Sequence, residues 1–339
     1  MNFRLASIIC GFTILTSCSL PVATLTPTAT PAPVSVTVTP SATALPPLPT
    51  AELGLLENPV ILALPPASNT PAQIAAAKVL ADQFTQRTGS VVVTVVPDSY
   101  SALVDALRTG NAHIVLLDPF SYELAYQEGL VSAAYAAVRE EKITYGAQFI
   151  ASRKSGFKSY FNESSQTNFA EATEALAQFA DKKPCWSDEF SPSGYVIPLG
   201  YLNKNQVITR PAAFVQGHPT VVRSIYVVGI CDFGATYVDA RKFPSLEDQY
   251  PDLLEQVMVV WRIPEIIPHA VLAFSTSLPQ DMRELFATSI PAMLQTTDGK
   301  TAFKVAYDIE ELLPVNNSYF NDFHEYVRTS QVELTSLVK

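Results

Sequence analysis

The chain has 339 residues, of which 48% are hydrophobic and 16% charged, and its net charge at pH 7 is −10. This composition is too apolar for a wholly disordered chain and too acidic for nucleic-acid binding by electrostatics. Four cysteines are too few for a disulfide scaffold, and the length suits roughly two domains of ordinary size. Proline outnumbers glycine by 26 to 13, which is unusual for a globular chain.

The N-terminus carries a secretory pattern. Arg4 precedes an apolar run, Leu5–Leu15, that is too short to span a bilayer, which takes ~20 residues. The tetrapeptide Leu15-Thr16-Ser17-Cys18 then resembles a bacterial lipobox, whose cysteine is acylated and becomes the first mature residue. The alternative is a plain secretory signal with a chance cysteine. We expect a lipoprotein signal peptide over residues 1–17 and an extracytoplasmic protein that Cys18 anchors to a membrane, in the periplasm or on the outer face of the cell.

A proline- and threonine-rich segment follows. Ser19–Thr50 contains no charged, aromatic or glycine residue, so it cannot contribute a packed core. Its prolines favour an extended polyproline II conformation. We therefore predict a tether over residues 18–54 that holds the globular part away from the membrane.

The globular part opens with alternating strand and helix signals. We predict strands at Pro59–Leu64, Val91–Val96 and Ile114–Leu117, with helices from Thr70-Pro71 to Gly89, from Asp98 or Ser99 to Gly110, and from Asp118-Pro119 onward. The first helix is expected to bury Ile74, Ala77, Ala81 and Phe84. This β-α-β-α-β order with apolar strands indicates a sheet buried on both faces.

The alternation restarts near residue 146. We predict helices at Thr167–Ala180, Ser193–Leu202 and His218–Val228, the first with Phe169 on its buried side. We predict strands at Pro184–Trp186, Ala212–Val215, Ile230–Ala235 and Val257–Trp261. A proline-broken segment, Ile263–Pro268, and a mainly helical tail, Pro279–Lys339, follow.

Two such units suit an α/β clamshell of two lobes whose chain crosses between them twice. The crossings are expected near Thr144–Phe149 and Val259–Ile263. We assign residues 55–145 and 262–339 to lobe 1 and residues 146–261 to lobe 2.

One loop at a helix start is a candidate anion site. Ser191-Pro192-Ser193-Gly194-Tyr195 follows a predicted strand and opens a predicted helix, so hydroxyl groups and free backbone N–H groups meet there. The alternative is that Ser191 or Ser193 only caps the helix. His218 begins the next predicted helix and could donate a hydrogen bond, although a lone histidine is commonly structural.

The cysteine pair is expected to be structural, and common catalytic and metal-binding motifs are absent from the sequence. Cys185 and Cys231 lie on predicted strands of lobe 2, and in an oxidising compartment we expect them to form a disulfide, the alternative being two buried thiols. The histidines lack zinc-site spacing, and the sequence contains no nucleotide-binding loop or serine-hydrolase motif. We therefore expect no enzyme and no cofactor.

These segments together resemble the substrate-binding lipoproteins of phosphate, phosphite and phosphonate ABC importers, the phosphonate-binding branch of the type II periplasmic binding proteins. The resemblance runs from about Pro59 to Pro314. It rests on Asp118-Pro119-Phe120-Ser121-Tyr122, Ser191-Pro192-Ser193-Gly194-Tyr195, Gly217-His218 with Val227–Ala235, and Ile266-Ile267-Pro268.

The resemblance implies a type II clamshell in which each lobe is a mixed sheet flanked by helices. It implies a monomer that captures a phosphonate-, phosphite- or phosphate-type oxyanion between its lobes and delivers it to ABC permease subunits. The residues carried over as ligand-binding are Tyr100, Tyr145, Ser191, Ser193, Gly194, Tyr195 and His218, with Asp239 as a candidate acid for a ligand amine.

Two departures from the family pattern bear on the ligand. Pro192 stands where the family usually has threonine, so one hydroxyl donor is missing. His269 and Ala270 follow Ile266-Ile267-Pro268, where members that bind aminoalkyl phosphonates tend to carry an acid. The alternatives left open are a non-phosphorus ligand, such as a sulfonate or a thiamine-precursor pyrimidine, and a sensor of this fold that reports to a signalling kinase.

Overall fold

The computed structural model describes residues 51–66 and 68–339. The predicted signal peptide, the lipidation site Cys18 and most of the predicted tether lie outside these residues. Within the described ranges, no helix is both long enough and apolar enough to cross a membrane.

Strands and helices alternate along most of the described chain. The strands are β1 (Val60–Ala63), β2 (Val92–Val95), β3 (Ile114–Leu117), β4 (Val131–Ala137), β5 (Thr144–Ser152), β6 (Phe161–Asn162), β7 (Thr167–Asn168), β8 (Pro184–Trp186), β9 (Ala213–Phe214), β10 (Phe233–Tyr237), β11 (Val257–Pro268), β12 (Val271–Ser275) and β13 (Leu312–Pro314). The helices are α1 (Pro71–Thr88), α2 (Tyr100–Arg108), α3 (Pro119–Gln127), α4 (Ala172–Leu176), α5 (Ile197–Lys204), α6 (His218–Val227), α7 (Pro244–Gln249), α8 (Leu253–Gln256), α9 (Gln280–Leu294), α10 (Thr297–Tyr307), α11 (Asn321–Ser330) and α12 (Leu334–Leu337).

The strands of the described residues form two main mixed sheets, which we call the sheets of lobe 1 and lobe 2. The lobe 1 sheet has the order β13-β4-β12-β3-β1-β2, with β1 parallel to β2 and β3, and β12 antiparallel to β3 and β4. The lobe 2 sheet has the order β11-β5-β10-β8-β9, with β8, β9 and β10 parallel and β5 antiparallel to both β10 and β11. The two-lobed α/β fold class predicted from the sequence is confirmed.

Strands β5 and β11 carry the chain between the two sheets. They pair over nearly their whole length, from Val257 opposite Ser152 to Pro268 opposite Thr144, with a register shift between Ile263 and Ile267. The segment Ile263–Pro268, predicted as proline-broken, is therefore the end of a long strand. Pro264 lies within this shift, where the ladder requires no hydrogen bond of it, and Pro268 is the last residue of the strand.

The local signals for the first helix are confirmed. Thr70 caps α1, its hydroxyl accepting from the Gln73 N–H while the Gln73 side chain returns to Thr70, and Pro71 occupies the first turn. Gly89 ends α1 at φ 77°, a conformation that favours glycine. The predicted buried face is correct at Ala77, Ala81 and Phe84, and wrong at Ile74, which is 44% exposed.

The predicted helix Thr167–Ala180 is wrong in its first half. Asn168 lies in β7, where its side chain donates to the Arg262 carbonyl at 2.7 Å and accepts from the Arg262 N–H at 2.9 Å. These bonds hold the segment extended, and Phe169, predicted to be buried, is 66% exposed. The helix that does form, α4, begins only at Ala172.

The C-terminal segment contacts both lobes. Helix α11 packs on α5 of lobe 2, with the Tyr201 and Tyr326 rings stacked at a centroid distance of 3.7 Å. Helix α12 packs on α3 of lobe 1, and the Tyr100 N–H donates to the Lys339 carbonyl at 2.8 Å. The tail therefore bridges the lobes, in addition to the crossings at β5 and β11.

A disulfide joins two elements of lobe 2. Cys185 in β8 is bonded to Cys231, just before β10, at a sequence separation of 46 residues. The half-cystines are nearly inaccessible, with Cys185 fully buried. The bond ties together the strands that present the candidate site at their carboxyl ends.

Candidate functional site

The candidate site lies at the carboxyl edge of three parallel strands of lobe 2. Ser187 follows β8, the loop Gln216–His218 follows β9, and Tyr237 ends β10. Ser187 connects its neighbours, because its carbonyl accepts from the Gly217 N–H at 2.9 Å and its N–H donates to the Gly194 carbonyl at 3.2 Å. Ligands of open α/β sheets bind at such an edge.

Ser191 organises the loop that opens the following helix. Its hydroxyl accepts from the Gly194 N–H at 2.9 Å and caps a turn of π-helical hydrogen bonding over Pro192–Val196, which continues into α5. Ser191 and Ser193 are 6% and 2% exposed. The capping role left open by the sequence is therefore real at Ser191, and it places both hydroxyl groups beside a helix start, where the backbone favours anions.

Gly194 is the one position in this loop where a side chain has no room. A Cβ at Gly194 would overlap the Ser187 hydroxyl and lie 2.9 Å from Cε1 of the His218 ring. The Ser187 side chain and the His218 ring therefore both lie against Gly194. Only glycine allows the loop and the histidine to approach this closely.

His218 is held as a neutral hydrogen-bond donor at the first position of α6. Its Nδ1 accepts from the Tyr237 N–H at 3.3 Å, so the neutral ring carries its proton on Nε2, which lies 3.4 Å from the Ser191 hydroxyl oxygen. Burial lowers the pKa of His218 to about 4, against the opposing effect of the Asp188 carboxylate. At neutral pH this imidazole can donate a hydrogen bond without adding charge.

Tyr145 reaches the site from the hinge strand β5. Burial raises the pKa of Tyr145 to about 12, while the hydroxyl of Ser193, with which it interacts, lowers it. The Tyr145 ring stacks on His269 at a centroid distance of 5.1 Å. Tyr145 is thus a protonated phenol beside the serine loop, and the structure brings Ser191, Ser193, Gly194 and His218 together with it.

Tyr100 lies across the hinge in lobe 1. It begins α2 and lines a cavity of 260 Å³ with Asp118, Arg139 and His269. Burial and the nearby Asp118 carboxylate raise the pKa of Tyr100 to about 12. Within the described chain Tyr100 makes no hydrogen bond to the serine loop, so the structure places it near the site without joining it to the cluster.

Two predicted site residues have side chains engaged elsewhere. The Tyr195 ring packs edge-on against Phe214 at a centroid distance of 4.9 Å and lies beside Trp186, so its side chain is engaged with other aromatic rings. The Asp239 carboxylate accepts from Arg241 at 2.6 and 2.9 Å and from the Gln148 amide at 2.7 Å.

The Asp239 ion pair bears on the expectation that this acid receives a ligand amine. Burial alone would raise the pKa of Asp239, but the Arg241 guanidinium and Gln148 outweigh it and the net pKa is lowered. Arg241 is 2% exposed and also pairs with Glu163. The acceptor capacity of Asp239 is therefore used within lobe 2.

Ser187 also lies beside Gly194, and no motif in the sequence singled it out. Its hydroxyl is fully buried and has no hydrogen-bond partner in the described structure. The available signal was a hydroxyl residue directly after the predicted strand Pro184–Trp186, at the edge where ligands bind.

The cluster offers many donors and few acceptors. The hydroxyl groups of Ser191, Ser193 and Tyr145 and the Nε2–H of His218 converge, and within residues 51–66 and 68–339 none of them is hydrogen-bonded to a carboxylate. The same residues contain no group of histidine, cysteine, aspartate and glutamate side chains arranged to hold a metal ion. An arrangement of this kind suits an oxyanion, whose oxygens accept several hydrogen bonds at once.

Comparisons with known proteins give a family match and a relative from another organism. The family model described as "ABC transporter, phosphonate, periplasmic substrate-binding protein" matches residues 62–320, more than half of the chain. The "Phosphate-import protein PhnD" of Mycolicibacterium smegmatis is 26% identical over 243 residues, covering 68% of this chain and 70% of that protein.

Solved structures share the fold. The protein XAC2383 of Xanthomonas citri bound to ATP superposes with a TM-score of 0.58 at 14% identity, covering 83% of this chain and 99% of that one. The same protein bound to a chloride ion superposes with a TM-score of 0.58 at 16% identity, covering 80% and 97%. At these identities the likeness concerns the fold.

Proposed function

The chain belongs to the phosphonate family of periplasmic substrate-binding proteins of ABC transporters, and we propose that it captures a small phosphorus oxyanion of the phosphonate, phosphite or phosphate type between its lobes. Membership of this family makes it an extracytoplasmic component of a transport system. The proposed class of oxyanion is supported by the residues of the candidate site.

The observation that carries the proposal is the excess of donors at the serine loop. Ser191 uses its oxygen to accept from the Gly194 N–H and keeps its own proton free to donate. His218 is fixed as an Nε2–H donor, and Tyr145 and Ser193 each contribute a hydroxyl. A phosphonyl group has three oxygens that accept hydrogen bonds, so it can satisfy the whole set.

The neutrality of these donors does not argue against an anion. Hydrogen bonds to a charged acceptor are about twice as strong as those between neutral groups, and a low local dielectric strengthens them further. The net charge of −10 is spread over the surface, where a Debye length of ~8 Å screens it.

The engagement of Asp239 bears on the substituent that the ligand carries. Because Arg241 and Gln148 occupy its carboxylate, this acid is not free to bind an ammonium group. We therefore propose phosphate, phosphite and unsubstituted alkylphosphonates ahead of aminoalkyl phosphonates as ligands.

The family and the sequence support further features of the molecule. We propose that the protein is a monomer anchored through Cys18, with residues 18–54 as tether, residues 55–145 and 262–339 as lobe 1 and residues 146–261 as lobe 2. We propose further that the closed, loaded form is what the permease subunits recognise. Closure would bring Tyr100 of lobe 1 toward the anion on lobe 2 and exclude water from it.

A binding panel tests the proposal. The protein would be titrated calorimetrically with phosphate, phosphite and methylphosphonate, with sulfate as the comparison anion. We expect saturable binding of at least one phosphorus oxyanion by the wild type and its loss in a Ser193→Ala/His218→Ala double variant. No binding of any phosphorus oxyanion, or unchanged binding in the double variant, would contradict the proposal.

A further inference from the structure

The hydroxyl of Ser187 has no hydrogen-bond partner although it is completely buried. A buried hydroxyl usually finds a partner, because leaving it unpaired costs free energy that water would have supplied in the unfolded chain. The backbone of Ser187 is fully engaged, with its N–H on the Gly194 carbonyl and its carbonyl on the Gly217 N–H. Backbone hydrogen bonds to both loops of the site therefore fix the position of Ser187.

The position of this hydroxyl is defined by Gly194 and His218. A Cβ built on Gly194 would overlap Ser187 Oγ, and it would lie 2.7 Å from Ser187 Cβ and 2.9 Å from His218 Cε1. Ser187 Oγ and the His218 ring therefore lie on the same side of Gly194, and the Nε2 of that ring lies 3.4 Å from the Ser191 hydroxyl oxygen.

Within the described residues this hydroxyl pairs with no acceptor. Two donors of the site are directed at Ser191: the Gly194 N–H bonds its oxygen, and His218 faces it with Nε2–H because Nδ1 accepts from Tyr237. A group that accepts hydrogen bonds from several directions would satisfy Ser187 together with Ser191 and His218.

We propose that Ser187 is an additional hydrogen-bond donor to the bound oxyanion, supplied from the end of β8 and lying outside the Ser191–Tyr195 motif. This inference rests on the proposed function. A donor at Ser187 would compensate for the donor that is missing at Pro192, which has neither a hydroxyl nor a backbone N–H. Ser187 would supply the missing hydroxyl from a different point in the chain.

A donor role of Ser187 predicts opposite effects of its substitution by alanine on oxyanion binding and on stability. Ser187→Ala removes the hydroxyl with little change in shape. We expect the affinity for the preferred phosphorus oxyanion to fall about tenfold, which is the loss of one hydrogen bond to a charged group. We expect the ligand-free variant to unfold at the same temperature as the wild type or higher, because an unpaired buried hydroxyl has been removed.

Ser224→Ala is the matched control. Ser224 is also a buried serine of lobe 2, on the helix that begins with His218, but its hydroxyl donates to the Thr220 carbonyl at 2.8 Å. We expect this variant to bind the oxyanion with wild-type affinity and to unfold at a lower temperature than the wild type.

Calorimetric titration and thermal unfolding of the three proteins decide the question. Wild-type affinity in Ser187→Ala would overturn the inference while leaving the proposed function intact. Loss of affinity together with a lowered unfolding temperature, as for a merely structural serine, would also overturn it.

If Ser187→Ala does not fold, Ser187→Cys serves instead, and its weaker donor is expected to give a loss of affinity at unchanged unfolding temperature. Absence of oxyanion binding in the wild type would mean that the proposed function itself fails, and the inference with it.

Discussion

The backbone N–H of Tyr237 donates to Nδ1 of His218 at 3.3 Å. This bond fixes which nitrogen of the neutral ring carries the proton, because Nδ1 cannot accept while it is protonated. Nε2–H is left as a donor beside the Ser191 hydroxyl. The last residue of strand β10 therefore determines the tautomer of a histidine on helix α6.

A pair of substitutions at His218 tests this role. We expect His218→Ala to weaken oxyanion binding about ten- to a hundredfold, as for a hydrogen bond to a charged group. His218→Gln should retain more of the affinity, because its amide N–H can reach near the position of Nε2. Calorimetric titration gives the values, and circular dichroism verifies that both variants fold. Equal affinities for Ala, Gln and wild type would show that His218 is structural only.

The same histidine predicts how stability depends on pH. Its pKa is about 4 in the folded protein, lowered by burial, against an unfolded value near 6.5. A base whose pKa is lowered on folding stabilises the protein above its unfolded pKa, and the stabilisation is lost as the pH falls from about 6.5 toward 4.

The contribution of His218 is isolated by comparison with His218→Gln. In urea unfolding of the ligand-free proteins at pH 7 and pH 5, we expect the wild type to lose more unfolding free energy on acidification than the variant. The full effect is at most about 3 kcal/mol, and part of it appears by pH 5. An identical pH dependence in both proteins would contradict the prediction.

The Asp239–Arg241 pair predicts a separation of binding from stability. Asp239→Asn should bind the preferred phosphorus oxyanion within about threefold of wild type, because its carboxylate is engaged by Arg241 and Gln148. Arg241→Met should lower the unfolding free energy by about 3 kcal/mol, since it leaves a buried carboxylate without its cation. Calorimetry and urea unfolding measure the two effects. If a well-folded Asp239→Asn variant no longer bound the oxyanion, the prediction would be contradicted and Asp239 would belong to the ligand-binding residues.

The disulfide predicts a sensitivity to reductant. Closing the loop between Cys185 and Cys231 restricts the unfolded chain and contributes about 4 kcal/mol in the chain-entropy model. We expect reductant to lower the unfolding free energy of the wild type by that order and to leave a Cys185→Ala/Cys231→Ala variant unchanged. A wild type indifferent to a reductant that has demonstrably cleaved the bond would contradict the prediction.

Local signals in the sequence predicted the parts of the fold that depend on nearby residues. Thr70 caps α1 through Gln73, three residues away, and Gly89 ends it, so both are readable from the sequence. The same holds for Ser191, whose hydroxyl bonds Gly194 three residues later. The serine loop could be located because its geometry is set within a few residues of chain.

The features of the fold and the site that the sequence did not predict depend on residues that are distant along the chain. Asn168 is held extended by Arg262, 94 residues later, and this overrides the helix pattern that runs through Phe169. The unpaired state of Ser187 is visible only once Gly194 and His218 are folded against it. Sequence patterns report which groups are available, whereas which groups are left unpaired depends on the folded contacts.

A crystal structure of the protein with methylphosphonate tests the central claim most directly. We predict that the phosphonyl oxygens lie within about 3.2 Å of the Ser191 and Ser193 hydroxyls and of His218 Nε2, with Ser187 Oγ also in hydrogen-bond contact. Methylphosphonate bound away from these groups, or bound in the cleft without contact to His218 or the serine loop, would contradict the account.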